Sequence, residues 1–225
     1  LCVRVTMGKQ QCQLLDQQSG SVRPVGRGAL VPNAGGTGYY RFELPARDWD
    51  ALIAVAGKLP GGEALALDDS LYASFLAGRA SPAQLVAGAI NLAANPDSYA
   101  SEAGIGSLEY FFNTGMLDAA GEEGYRRLVR QIYAPRVKAM GFTPRAGAYA
   151  AEDPEKSQKR VHAVNLLAET ARDPVLRKQL GDAARAYLGG DKAALDPAWF
   201  GTAFGIVVEE GGLAAAKQLT EAALA

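Results

Sequence analysis

The 225-residue chain has one histidine, two cysteines and no surplus of either charge, with 24 acidic against 23 basic groups. Each shortage removes a class of function. His162, Cys2 and Cys12 cannot supply the nitrogen and sulfur ligands that a self-contained zinc hydrolase builds from several side chains. A formal charge of -1 leaves no basic footprint for phosphate backbones, so no nucleic-acid partner is expected. No window approaches the roughly 18 uncharged apolar residues that span a bilayer, so no membrane span is expected and the chain reads as soluble. Leu1 is not an initiator methionine, and no basic stretch precedes an apolar core. The start reads as the interior of a longer protein.

Alanine is scarce in one place only: three of the 42 alanines fall in the first 50 residues. That early segment instead holds Val3, Val5, Thr6, Val22, Val25 and Val31, which suit a pleated surface, whereas alanine costs a helix least. The imbalance predicts strands first and helices afterwards, with a boundary near Leu44–Pro45. Cys2–Thr6 alternates with a period near two, Gln13-Leu14-Leu15 is a short second run, and Tyr39–Leu44 is a third after the Asn33–Gly38 turn cluster. So few short strands make a poor independent domain, and residues 1–44 are expected to be the end of an incomplete β-sandwich.

Beyond Pro45 the period becomes helical. Trp49, Leu52, Ile53 and Ala56 form a stripe with Gly57 as its stop, and Leu71, Tyr72, Phe75 and Leu76 form another that ends at Gly78. Ser81-Pro82-Ala83-Gln84 has the form of a capping box ahead of Leu85, Val86, Ala89, Ile90 and Ala93. Ile105, Leu108, Phe111 and Phe112 mark a fourth helix. Tyr125, Leu128, Val129, Ile132 and Tyr133 open a fifth, which Pro135 should kink and Gly141 should end. Asp153-Pro154, Asp173-Pro174 and Asp196-Pro197 then repeat a capping carboxylate before a proline at intervals of 20 and 23 residues. Two helices thus span 43 residues, inside the period of HEAT and armadillo units, although an ordinary bundle gives similar intervals. The expected fold is mainly α: an α-solenoid of helix pairs over residues 45–225, preceded by a few strands.

No residue pattern marks a catalytic centre. His162 lies beside the apolar stripe of its helix without a second ligand nearby. Cys2 and Cys12, ten residues apart, match no metal spacing and are read as two free thiols rather than a strand-to-strand bridge, which leaves cytoplasm and periplasm equally open. Asp68-Asp69 and Glu122-Glu123 are adjacent pairs, read as solvated faces because neighbouring side chains diverge on a helix. Gly35-Gly36-Thr37-Gly38 lacks a following Lys-Ser/Thr and precedes a strand, so it is a turn rather than a phosphate loop. Arg126, Arg127 and Arg130 cluster on one helix and could meet a carboxylate.

Asn33-Ala34-Gly35-Gly36-Thr37-Gly38-Tyr39-Tyr40-Arg41-Phe42, followed by Trp49-Asp50-Ala51-Leu52, resembles the "N…G-Y-Y-R-V…W…L" signature of the gluzincin zinc aminopeptidases, the family of the puromycin-sensitive, membrane alanyl and endoplasmic-reticulum enzymes. Arg172–Arg177 through Tyr187–Gly190 is similar to that family's recurring helix pairs. The resemblance implies that residues 1–44 end a β-sandwich and 45–225 begin a HEAT-like C-terminal domain, expected to be incomplete. It implies a bowl over a peptide chamber, with zinc and every catalytic residue in an upstream domain and with the upstream domains and peptide substrate as partners. No catalytic or metal ligand transfers to this chain, and no substrate-binding residue is assigned. Asn33, Gly38, Tyr39, Tyr40 and Arg41 match a structural motif, the glycine for a turn and the aromatics for packing between sandwich and helices. The alternative is an α-solenoid interaction scaffold with no enzymatic parent.

Overall fold

The computed structural model describes residues 1–224, and within them the chain is mainly α with one small sheet. Its contacts fall into two units, Leu1–Asp118 and Ala119–Ala225. The composition boundary at Leu44–Pro45 therefore lies inside the first unit.

In the first unit, strands β1 (Cys2–Val5), β2 (Gln11–Cys12) and β3 (Leu30–Val31) form an antiparallel sheet in the order β2-β1-β3. Two of the expected strands are misplaced. The second strand lies at Gln11–Cys12, and Leu14 and Leu15 are exposed beyond it. This shift places Cys12 opposite Cys2 in the register, and the two form a disulfide. The reading of two free thiols is thus corrected: the hairpin brings the sulfurs together, and among the described residues no cysteine is left free.

The segment Tyr39–Leu44 is extended but pairs with no strand, because it runs along a helix. The Phe42 N–H donates to Ser70 Oγ at 3.3 Å, and the Phe42 ring stacks on Trp49 with centroids 5.5 Å apart. A side-chain hydroxyl takes the place of a ladder partner.

Helices α1 (Ala46–Ile53), α2 (Gly61–Leu76), α3 (Pro82–Leu92) and α4 (Ser98–Asn113) complete this unit, with α4 packed on α2 and α3. Trp49, Leu52, Ile53 and Ala56 are buried together with Leu67, Leu71, Leu85 and Leu92 in one apolar cluster. Each large side chain so removed from water stabilises the fold by about 1.5–3 kcal/mol before entropy is charged. Gly57 is not a left-handed stop: α1 ends at Ile53, and Gly57 sits in the following 3-10 turn Ala56–Lys58. Gly78, by contrast, closes α2 at φ +72°, with Arg79 N–H bonded to the Ser74 carbonyl and Gly78 N–H to that of Phe75. The Ser81–Gln84 capping box opens α3 as expected. Val86 and Ile90 nonetheless lie on its exposed side, since Gln84, Leu85, Gly88, Ala89 and Leu92 form the inward face.

The second unit contains α5 (Ala119–Met140), α6 (Pro154–Asn165), α7 (Pro174–Leu188) and α8 (Phe200–Leu224). α5 is a single helix across Pro135 and is followed by Gly141 at φ +71°. All three Asp-Pro signals act as caps, with Asp153, Asp173 and Asp196 accepting backbone N–H groups at the starts of α6, of α7 and of the 3-10 turn Pro197–Trp199 that leads into α8. Two features of this unit are absent from any periodicity. A π-helical turn, Leu166–Thr170, continues α6 and buries Leu166, Leu167 and Ala168, and Arg172 follows it at φ +53°. Arg160 is buried with its guanidinium bonded to Glu152 and to the carbonyls of Met140 and Gly141, so it also neutralises the C-terminal end of α5.

Candidate functional site

The residues of the Asn33–Arg41 signature converge on one cleft of the first unit. Its volume is about 630 Å³, and its walls are the signature loop on one side and Gly62, Leu65, Ala66 and Asp69 of α2 on the other. Contacts within the loop, to β1 and to α2 fix its position.

Asn33, buried to 3% exposure, spans the turn as a peptide group would. Its Nδ2 donates to the Gly38 carbonyl at 2.8 Å and its Oδ1 accepts the Gly38 N–H at 3.0 Å. Gly36 then reaches the backbone of Gly62 so closely that a Cβ built on it would lie 2.1 Å from the Gly62 carbonyl carbon. Gly38 is required for a different reason: a Cβ there would meet the Tyr40 ring at 2.2 Å. The Tyr40 hydroxyl donates to the Pro32 carbonyl at 2.8 Å, with the Cys2 carbonyl at 3.3 Å, and so couples the loop to β1. Arg41 forms a bidentate pair with Asp69 at 2.8 Å on both arms, exposed to solvent. That contact holds the Asp69 carboxyl below the usual carboxylate range.

The centre of the arrangement is Glu63, a residue the sequence patterns did not single out. Its carboxylate is only 3% exposed, yet it accepts both Arg4 Nε at 2.8 Å and Arg4 Nη2, and also the Gly35 N–H at 2.8 Å. β1, the signature loop and α2 thus share one buried carboxylate. Glu63 also lies in the first turn of α2, where the helix dipole favours negative charge. The Pro60-Gly61-Gly62-Glu63 run is a helix start that would have exposed it.

Of the five signature residues, Asn33, Gly38 and Tyr40 act in packing and hydrogen bonding, and Arg41 clips the loop to α2. Tyr39 does not pack between strands and helices in this chain: its ring is fully exposed at the mouth of the cleft.

The other singled-out residues are dispersed. His162 lies edge-on to Tyr133 with ring centroids 5.7 Å apart, half-buried at the boundary of its helix. Glu122 pairs with Arg126, and Glu123 with Arg127 and Arg130, so these arginines meet carboxylates of their own helix. Arg130 also donates to the Ala171 carbonyl at 2.7 Å. Asp68 corrects the reading of Asp68-Asp69 as one solvated pair. Asp68 is buried between α2 and α4 while Asp69 is exposed, since side chains one residue apart on a helix are turned by about 100° and α4 covers only the first of them.

The residues present do not fit zinc. Among the described residues no three of His, Cys, Asp and Glu gather as a metal would require, and both thiols are consumed by the disulfide. Among the described residues, no helix is long and apolar enough to cross a membrane.

In comparisons with known proteins, the sequence model of the family described as ERAP1-like C-terminal domain matches residues 29–224. The match takes in the signature loop and all of α1 to α8, and begins after β2 and its disulfide. No curated protein sequence matches the chain.

Proposed function

The chain belongs to the ERAP1-like C-terminal domain family, and on that premise we propose that it is the non-catalytic C-terminal part of a zinc-dependent aminopeptidase, in which it shapes and closes the chamber that admits peptides. The family match over residues 29–224 carries this reading. In the proposal, residues 1–44 are the last strands of a β-sandwich and 45–225 a HEAT-like helical domain. Zinc and the groups that activate water belong to an upstream domain of the same protein.

Such a domain contributes by exclusion and positioning. A wall that admits a flexible peptide and rejects a folded protein must keep its shape under load, and a chamber that closes removes bulk water and holds the substrate in a reactive pose. The fastening of β1 and the signature loop to α2 through Glu63, with Tyr40 tying that loop to β1, supports this role, because it lets a strand segment and its helices move as one piece. The disulfide supports the oxidising one of the two compartments considered, the periplasm, over the cytoplasm.

The test is to measure metal content of the purified chain and its release of a chromophore from an aminoacyl substrate. The proposal expects neither bound zinc nor turnover, and stoichiometric zinc with turnover would overturn it. The coding sequence upstream decides against the scaffold alternative if it contains HExxH followed by a distant glutamate.

A further inference from the structure

One ionisable group of the first unit lies apart from the Glu63 fastening and has no cation beside it. Asp68 is 9% exposed on the face of α2 that meets α4, and its Oδ2 accepts a hydrogen bond of 3.1 Å from Ser107 Oγ of α4. A single neutral hydroxyl is thin support for a buried carboxylate, which ordinarily needs a cation or several donors. Its neighbour in the chain, Asp69, adds a like charge.

The surrounding elements offer no compensation. α3 and the 3-10 turn Ala34–Gly36 contain no ionisable side chain, and the turn Ala56–Lys58 contributes only Lys58, before the start of α2. On α4 the ionisable residues are Tyr99, Glu102, Glu109 and Tyr110, of which Tyr110 shares the face of Ser107 one turn away and meets Phe111 edge-on. On α2 itself, Tyr72 also packs on Phe111, and Glu63 is committed to Arg4. The nearby cations of the signature segment and the end of α2 are occupied: Arg41 by Asp69 and Arg79 by Glu43.

We propose that Asp68 is a proton-operated latch between α2 and α4. Protonated, it sits neutral beneath Ser107 and the two helices close; ionised, it leaves a buried charge next to Asp69 that loosens their crossing, and with it the α2 wall of the signature cleft. The raised affinity for the proton has burial as its main cause, which pushes the Asp68 carboxyl up to about 6. Because the folded-state value exceeds the unfolded one, the stabilisation is present at low pH and is lost as pH rises toward 6, above which the loss is complete. This latch does not depend on the proposed aminopeptidase role.

Amide hydrogen exchange of the intact chain, corrected for intrinsic rates, reads the latch directly. Between pH 4.5 and 7.5, protection in α2 and α4 should fall on the order of twentyfold and level off above about pH 6, as follows from a shift of roughly two pH units. Asp68→Asn, which can still accept from Ser107, should flatten the profile. Ser107→Ala should move its midpoint upward, because the lost hydrogen bond favours the ionised form. Wild-type protection that does not change with pH, or a fall of equal size in Asp68→Asn, would overturn the proposal. If Asp68→Asn does not fold, the wild-type profile and the direction of the Ser107→Ala shift decide it.

Discussion

Replacing Glu63 with glutamine tests whether one buried carboxylate holds the strands and the signature loop to α2. The substitution keeps shape and volume but turns an acceptor-only group into an amide. One oxygen can still accept the Gly35 N–H, while the amide nitrogen must face the Arg4 guanidinium, which is itself 16% exposed. Breaking a buried ion pair from one side costs about 3–5 kcal/mol. The lower end applies, near 3 kcal/mol, because Arg4 retains its bond to the Thr6 carbonyl at 3.0 Å and some solvent. At a urea slope of about 2 kcal/mol/M, the unfolding midpoint of the first unit should drop by about 1.5 M.

Trp49 lies in the first unit and Trp199 in the second, so fluorescence in a Trp199→Phe background reports the relevant transition alone. Asp69→Asn, which removes the exposed partner of Arg41, is the internal control and should leave the midpoint within error. Arg4→Met combined with Glu63→Gln should cost less than the sum of the single changes, since it removes the stranded cation. A Glu63→Gln midpoint no lower than that of Asp69→Asn would refute the reasoning.

Arg172→Gly should stabilise the second unit by about 1 kcal/mol, read from Trp199, because φ +53° strains any residue with a Cβ. Gly36→Ala should destabilise the first unit by at least about 2 kcal/mol, combining φ +66° with the clash on Gly62, and should do so without altering the second unit's transition. Reducing the Cys2–Cys12 bond, or replacing both by serine, should cost no more than about 3 kcal/mol for so short a loop, and a thiol titration should find no reactive sulfur before reduction. Glu152 is held down to about 2, chiefly by its hydrogen bond from Arg160. Its stabilisation of the second unit is therefore present above the ordinary carboxylate range and lost as pH falls toward 2. Glu152→Gln should flatten that stretch of the acid-unfolding curve.

Local chemistry was enough for most of the helical elements and for many of their ends, though not for the end of α1 or the π-helical turn after α6. The Asp-Pro caps, the Ser81 box and the stops at Gly78 and Gly141 depend on bonds within a few residues, so each is written in a short window. The signature loop was recognisable for the same reason: Asn33 and Gly38 bond to each other across five residues. Strand positions were less readable. A two-residue strand has almost no periodicity, and the shift of β2 onto Gln11–Cys12 was sufficient to turn two apparent thiols into a disulfide.

What composition and spacing determined was therefore the mainly α class, the order of strands before helices, most helix ends and the loop at the signature. What only the tertiary structure decided was which charges go inside. Glu63 and Asp68 lie five residues apart on α2, Asp69 follows directly, and nothing local separates their fates. Glu63 is buried because Arg4 arrives from β1, Asp68 because α4 crosses over it, and Asp69 remains exposed beside Arg41. Those partners stand 59, 39 and 28 residues away in the chain, and the cost of burying a charge depends on what is finally packed against it.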